Sequence, residues 1–182
     1  MSSFAVPTRE DVSPQNQVLF DNLKGALGFV PNLYATIAYS GNALGNYLQF
    51  QNGKTSLSKK EKEVVNLVVS QVNECAYCLA AHTALGRMNG LTDGQMLEIR
   101  QGSALFQPKL DALVKLTREI TLHKGRIAEA HLDAFYAAGY TNESLVDVIA
   151  AIGDKVIMNY LHNLTQVPVD FPPAPQLNAV EA

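Results

Sequence analysis

Ser58-Lys59-Lys60-Glu61-Lys62-Glu63-Val64-Val65-Asn66-Leu67-Val68-Val69-Ser70-Gln71-Val72 is the stretch on which the fold turns. Ser58 followed three residues later by Glu61 is a capping-box pattern, in which the two side chains satisfy each other's free backbone N–H groups at a helix start. The run from Val64 to Val72 is apolar on most sides. Its valines would also suit a buried strand. The capping box and the length of the run favour a helix, and a helix apolar on most sides belongs at the centre of a fold.

Outward from this segment the signals are helical. Cys75 to Met88 reads as a helix ending near Gly90, and Asn73 ends the helix before it, which places Cys75 in the first turn. Thr92-Asp93-Gly94-Gln95 is a second capping box and opens a short helix through Met96, Leu97 and Ile99. Pro108 opens an amphipathic helix with Leu110, Leu113, Leu116 and Ile120 on one face. Ile127 to Ala138 forms another, stopped by Gly139. Thr141 caps a long last helix, with Leu145, Val148, Ile152, Val156 and Tyr160 on one stripe. On the N-terminal side, Ser13-Pro14 reads as N-cap and N1 of a helix running toward Gly28. A second helix is expected from Pro31 through Leu48, weakened in its middle by Gly41 and Gly45.

No β-hairpin signal and no internal repeat is present. The expected architecture is an all-α helical bundle in a single domain over residues 1–166. A tail over residues 167–182 contains Pro168, Pro172, Pro173 and Pro175 and should run extended, either against a neighbouring subunit or as a loosely ordered terminus.

Composition narrows the function classes. The chain has 182 residues, 47% apolar and 17% charged, which is globular rather than disordered. Its net charge of -3 and the lack of clustered Lys and Arg argue against a nucleic-acid partner. Lys59, Lys60 and Lys62 read as a solvated helix start, and Glu61 beside them as an ordinary surface residue. The first residues carry no signal-peptide pattern. No stretch approaches the roughly 18 uncharged apolar residues of a membrane helix. A cytoplasmic location without membrane attachment is therefore expected, and there a lone cysteine pair is catalytic or metal-binding rather than a structural disulfide.

That pair is Cys75-Ala76-Tyr77-Cys78, the only two cysteines of the chain. On a helix Cys75, Cys78 and His82 share one stripe at i, i+3 and i+7. A helix N-terminus or a protonated histidine can lower a thiol pKa from about 8.5 to roughly 3.5–7.5, and the thiolate is the form that attacks a peroxide or disulfide. A second thiol one turn away can close a disulfide before over-oxidation. Glu63, twelve residues before Cys75, is the remaining candidate, a carboxylate that Val64 and Val65 should partly desolvate.

Other readings stay open on these residues. One C-x-x-C can be half of a zinc site, with His82 and Glu63 as further ligands, although no second knuckle is present. The cysteines can also be inert core residues. A thioredoxin reading fails for lack of a βαβ pattern. His162, near Asn159 and Asn163, reads by default as packing and otherwise as a group behind the site.

The run Leu57-Ser58-Lys59-Lys60-Glu61-Lys62-Glu63-Val64-Val65, then Val69-Ser70-x-x-Asn73-x-Cys75-x-Tyr77-Cys78-x-x-x-His82, resembles the AhpD-like alkylhydroperoxidases of the carboxymuconolactone decarboxylase superfamily. Asn159-Tyr160-x-x-Asn163 followed by Asp170-Phe171-Pro172 is similar to the C-terminal part of that family's peroxidase-related branch. The resemblance implies an all-α homo-oligomer, a trimer or hexamer. It implies a peroxidatic Cys78, a more exposed resolving Cys75, and a proton relay of Glu63 and His82. It also implies a small hydroperoxide as substrate and a dithiol or lipoyl-type protein as reductant. Tyr77 departs from the pattern, standing where the founding members have histidine. No metal and no organic cofactor is expected, since no nucleotide-binding glycine loop is present. Two alternatives are a lyase of the decarboxylase kind using Glu63 and His82, and a non-enzymatic disulfide sensor.

Overall fold

The computed structural model describes residues 4–177, and among them every regular element is helical. After a 3-10 turn at Arg9–Asp11 come α1 (Pro14–Leu27), α2 (Asn32–Ile37), α3 (Ala43–Gln51), α4 (Lys59–Val72) and α5 (Ala76–Met88). α6 (Asp93–Gln101), α7 (Pro108–His123), α8 (Glu129–Ala137) and α9 (Asn142–Thr165) follow. No helix among the described residues is long and apolar enough to cross a membrane.

α4 is the central rod. Both capping-box bonds are made: Ser58 N donates to Glu61 Oε2 at 2.8 Å and Glu61 N to Ser58 Oγ at 3.2 Å. Val64, Val65, Leu67 and Val69 are fully buried, and Asn66 and Ser70 are buried beside them. α4 packs against α5, α6, α7 and α9, so all of its sides are covered. Glu61 is not the surface residue expected. It is buried, with Tyr140 Oη donating to its Oε1 at 2.9 Å and Lys109 Nζ at 3.4 Å. The reason is that a capping glutamate turns back over the helix start, where Tyr140 covers it.

Two further expectations are corrected. The helix read from Pro31 to Leu48 is two helices, α2 and α3, broken between Ala38 and Asn42. The buried Asn16 of α1 donates its amide to the carbonyls of Ala38 and Ser40 at 2.9 and 3.0 Å, drawing them out of a helical ladder. On α9, Val148 and Ile152 are buried as read, but Tyr160 is 61% exposed. Twelve residues at 3.6 per turn carry it about 120° round from Val148.

Past α9, Gln166 turns left-handed at φ 53° and the chain runs without helix or strand to residue 177. This segment is hydrogen-bonded to its own chain. Asn32 N donates to Asp170 Oδ2 at 2.7 Å, Asn32 Nδ2 to Pro168 O at 3.0 Å, and Arg100 Nη1 to Pro175 O at 2.6 Å. The rest of the tail expected over residues 167–182 lies outside the described residues.

Candidate functional site

The joint between α4 and α5 sets the site. Asn73 ends α4, Glu74 turns left-handed at φ 53°, and Cys75 N donates back to Ser70 O at 3.0 Å. That reversal makes Cys75 the N-cap of α5 rather than a member of its first turn, and its Sγ accepts the Cys78 backbone N–H at 3.4 Å. Asparagines of α9 pin the joint from outside. Asn73 Nδ2 donates to Asn159 Oδ1 at 3.0 Å, and Asn163 Nδ2 donates to Asn73 O at 2.7 Å.

The structure brings together all four residues singled out in the sequence. Cys75, Cys78 and His82 are buried along one stripe of α5, and the cysteines are free thiols. Glu63 reaches across from α4, its Oε2 2.7 Å from His82 Nδ1. Burial, and then the charge of Lys155, hold His82 below its ordinary value, against the pull of Glu63. The imidazole is therefore neutral near pH 7. With Nδ1–H directed at Glu63, Nε2 is the acceptor.

The two sulfurs differ. A hydrogen bond from the Cys78 thiol, with His162 and the Cys78 backbone N–H, brings Cys75 down to about 5 despite its burial. Cys78 moves up, first because its proton is engaged by Cys75 and then because it is buried. His162 of α9 is the histidine beside Cys75. Burial lowers it, but the Cys75 sulfur and the Val167 carbonyl, 3.2 Å from Nε2, leave it above its ordinary value. The resemblance implied that Cys75 is the more exposed thiol. Here it is 0% exposed and Cys78 2%, since both pack in one cluster with Leu33, Val167 and Met158.

Cys78 and His82 line a cavity of about 340 Å³ between α1, α2, α5 and α9. Most of its wall is apolar, including Phe29, Leu33, Leu85, Met88, Met158 and Phe171. Tyr34, Gln51 and Lys155 are polar lining groups with the two α5 residues. A second cavity of about 300 Å³, lined by Lys54, Lys62, Asp147 and Asp154, meets the first at Gln51 and contains no thiol.

Tyr77 has a different task from a proton relay. Its hydroxyl donates to Asp170 Oδ1 at 2.6 Å and accepts from Leu33 N at 3.3 Å, and its ring meets Phe171 edge-on with centroids 5.7 Å apart. Burial, and then Asp170, raise the phenol above its ordinary value. It clamps the C-terminal segment over the site. The sequence reading missed Lys155, Asp170 as a site neighbour, and the full part of Asn159. For Lys155 and Asn159 the signal was the spacing Lys155, Asn159, His162 on one face of α9, with the lysine directly before the apolar Val156-Ile157-Met158.

The model of the carboxymuconolactone decarboxylase family matches residues 40–119, the segment that holds Glu63, Cys75, Cys78 and His82. The uncharacterized protein YdfG of Bacillus subtilis is 26% identical over 121 residues, 65% of this chain and 82% of that one. The fold is similar to that of an uncharacterized peroxidase-related protein with an alkylhydroperoxidase AhpD core from Ralstonia eutropha, at a TM-score of 0.80 and 20% identity over 94% of this chain and 91% of that one. It is also similar to the debrominase Bmp8, solved with 2,3,4-tribromopyrrole, at a TM-score of 0.76 and 14% identity over 93% of this chain and 92% of that one. Residues 40–119 are thus similar to the carboxymuconolactone decarboxylase family, and the fold around them is similar to that of an AhpD-core protein.

Proposed function

We propose that the protein is a thiol-dependent reductase of organic hydroperoxides. The observation that carries this reading is that Cys78 and a neutral His82 stand on the wall of an apolar cavity, with Cys75 one helical turn behind. His82, oriented by Glu63, takes the Cys78 proton. The Cys78 thiolate attacks the hydroperoxide, forming an S–O bond as the O–O bond breaks. The departing alkoxide takes the proton from His82 and leaves as an alcohol. The Cys75 thiolate then attacks the Cys78 sulfenic acid, forming the disulfide and releasing hydroxide. A separate dithiol or lipoyl-type protein returns the disulfide to the dithiol.

The apolar wall suits a hydroperoxide with a hydrocarbon body better than hydrogen peroxide. The reduced dithiol fits a reducing, cytoplasmic setting. Val146, Ile149, Ile157, Tyr160 and Leu164 make an exposed apolar stripe on α9, which supports a homo-oligomer, trimer or hexamer, that covers it.

Mass spectrometry of the intact reduced protein, treated with one equivalent of an organic hydroperoxide, tests the reading. A rapid loss of two hydrogens, absent in Cys78→Ser, is expected. Thiols that stay reduced for hours would reject it and leave the Glu63–His82 pair to a lyase. The cavity and the likeness to a debrominase support a second reading, reductive removal of bromide from an apolar aromatic. There the same dithiol supplies both electrons: the aryl bromide gains hydrogen and the disulfide and bromide form. Release of bromide without turnover of hydroperoxide would favour it.

A further inference from the structure

Lys155 is buried in the middle of the molecule without a partner. It is 2% exposed, and among the described residues no carboxylate oxygen lies within 4.0 Å of its Nζ and it makes no side-chain hydrogen bond. The buried carboxylates in this layer are engaged elsewhere. Glu63 is bound to His82, and Asp154 faces Gln51 Nε2 at 3.5 Å. With no carboxylate beside it, the Lys155 ammonium faces the cavity, where a negative charge that arises during function can meet it. Lys155 lines the cavity beside Cys78 and His82. It also begins the α9 stripe Lys155, Asn159, His162 at i, i+4 and i+7, which runs along the dithiol. His162 is at the Cys75 end, and Lys155 and Asn159 are at the Cys78 end.

Resting on the thiol reading above, we propose that Lys155 is the counter-ion of Cys78: it holds the negative charge on that sulfur once His82 has taken the proton, and then on the oxygen that departs as the S–O bond forms. His162 does the corresponding work for Cys75. The dithiol thus has a basic side chain for each sulfur, both on one face of α9, and only the one at Cys78 lines the cavity. Negative charge in the cavity stays near Lys155 from attack to release, so removing the lysine slows Cys78 in any reaction with an electrophile.

The test needs no peroxide. In the Cys75→Ser protein, alkylation of Cys78 by iodoacetamide is followed from pH 7 to 10. The groups then facing Cys78 are His82 with Glu63, Lys155 and Asp154, and the hydroxyls of Tyr34, Tyr47 and Tyr77. His82 titrates below this range and burial raises all three tyrosines. Adding Lys155→Met should raise the midpoint by about one pH unit, a roughly tenfold slower reaction near neutrality, and Lys155→Arg should recover most of it. Because an unpaired buried charge is removed, the Lys155→Met protein should melt no lower than its parent. An unchanged midpoint, or a Met variant that melts lower or fails to fold, overturns the proposal and makes the lysine structural. The two readings fail separately. A shifted midpoint in a protein inert to hydroperoxides keeps the counter-ion and rejects the peroxidase. An unshifted midpoint in an active peroxidase does the reverse.

Discussion

Cys75 is wholly buried with His162 beside it, whereas Cys78, one turn along α5, opens on an apolar cavity beside His82 and Lys155. Neither sulfur is solvent-exposed. They differ in which polar groups reach them. Cys75 has a backbone N–H and an imidazole, which favour its thiolate at rest. Cys78 has His82, Lys155 and an apolar cavity beside it. In this C-x-x-C the two sulfurs are distinguished by what the neighbouring helix places beside each, and not by exposure.

The comparison breaks most sharply at Cys78. Cys78→Ser should abolish hydroperoxide-driven disulfide formation, read by intact mass. Next, Glu63→Gln removes the acceptor that orients His82 and should slow oxidation of Cys78 by about 10²–10⁴-fold, measured by stopped-flow under single-turnover conditions. A Glu63→Gln protein with unaltered rate would remove the relay from the mechanism.

The Cys75 side is sharpened by pH. Its thiolate absorbance near 240 nm should persist well below neutrality, with a midpoint near 5, and vanish in Cys75→Ser. An acid whose pKa is lowered on folding stabilises the native state above its unfolded value and loses that contribution as pH falls through the folded one. Reduced protein should thus lose stability between about pH 8.5 and pH 5, relative to Cys75→Ser, in thermal melts. A midpoint above 8 would place the resting charge elsewhere.

Two smaller effects concern the frame. Asp170→Ala leaves the Tyr77 hydroxyl and the Asn32 N–H without their acceptor. It should cost about 1–3 kcal/mol in urea unfolding and speed alkylation of Cys78, whose cavity Phe171 lines. Unchanged alkylation of Cys78 would mean that the segment does not shield the cavity. Glu74→Gly relieves a left-handed glutamate at the joint and should raise stability by at most about 1 kcal/mol, without moving the Cys75 titration.

Much of this was legible before any coordinates. Ser58, Thr92 and Thr141 declared helix starts because an N-cap is a local hydrogen-bonding event, and each does cap by accepting the N–H three residues on. Glu63, Cys75, Cys78 and His82 were legible because their spacing is a property of one helix and the helix before it. The break between α2 and α3 was not, since its cause is an amide on α1, Asn16, 22 and 24 residues away from the carbonyls it binds. Nor was the burial of Glu61, which depends on Tyr140.

Local chemistry in the chain thus sufficed for the helical class, the central place of α4 and the choice of the four side chains that the structure brings together, since capping, amphipathic period and residue spacing act over a few residues. The distinct surroundings of the two thiols, the role of Tyr77 as a clamp and the unpaired Lys155 were settled by long-range packing. Each depends on α9 or the C-terminal segment lying across α5, some 77 to 93 residues away in the chain, and no local signal states which face meets which.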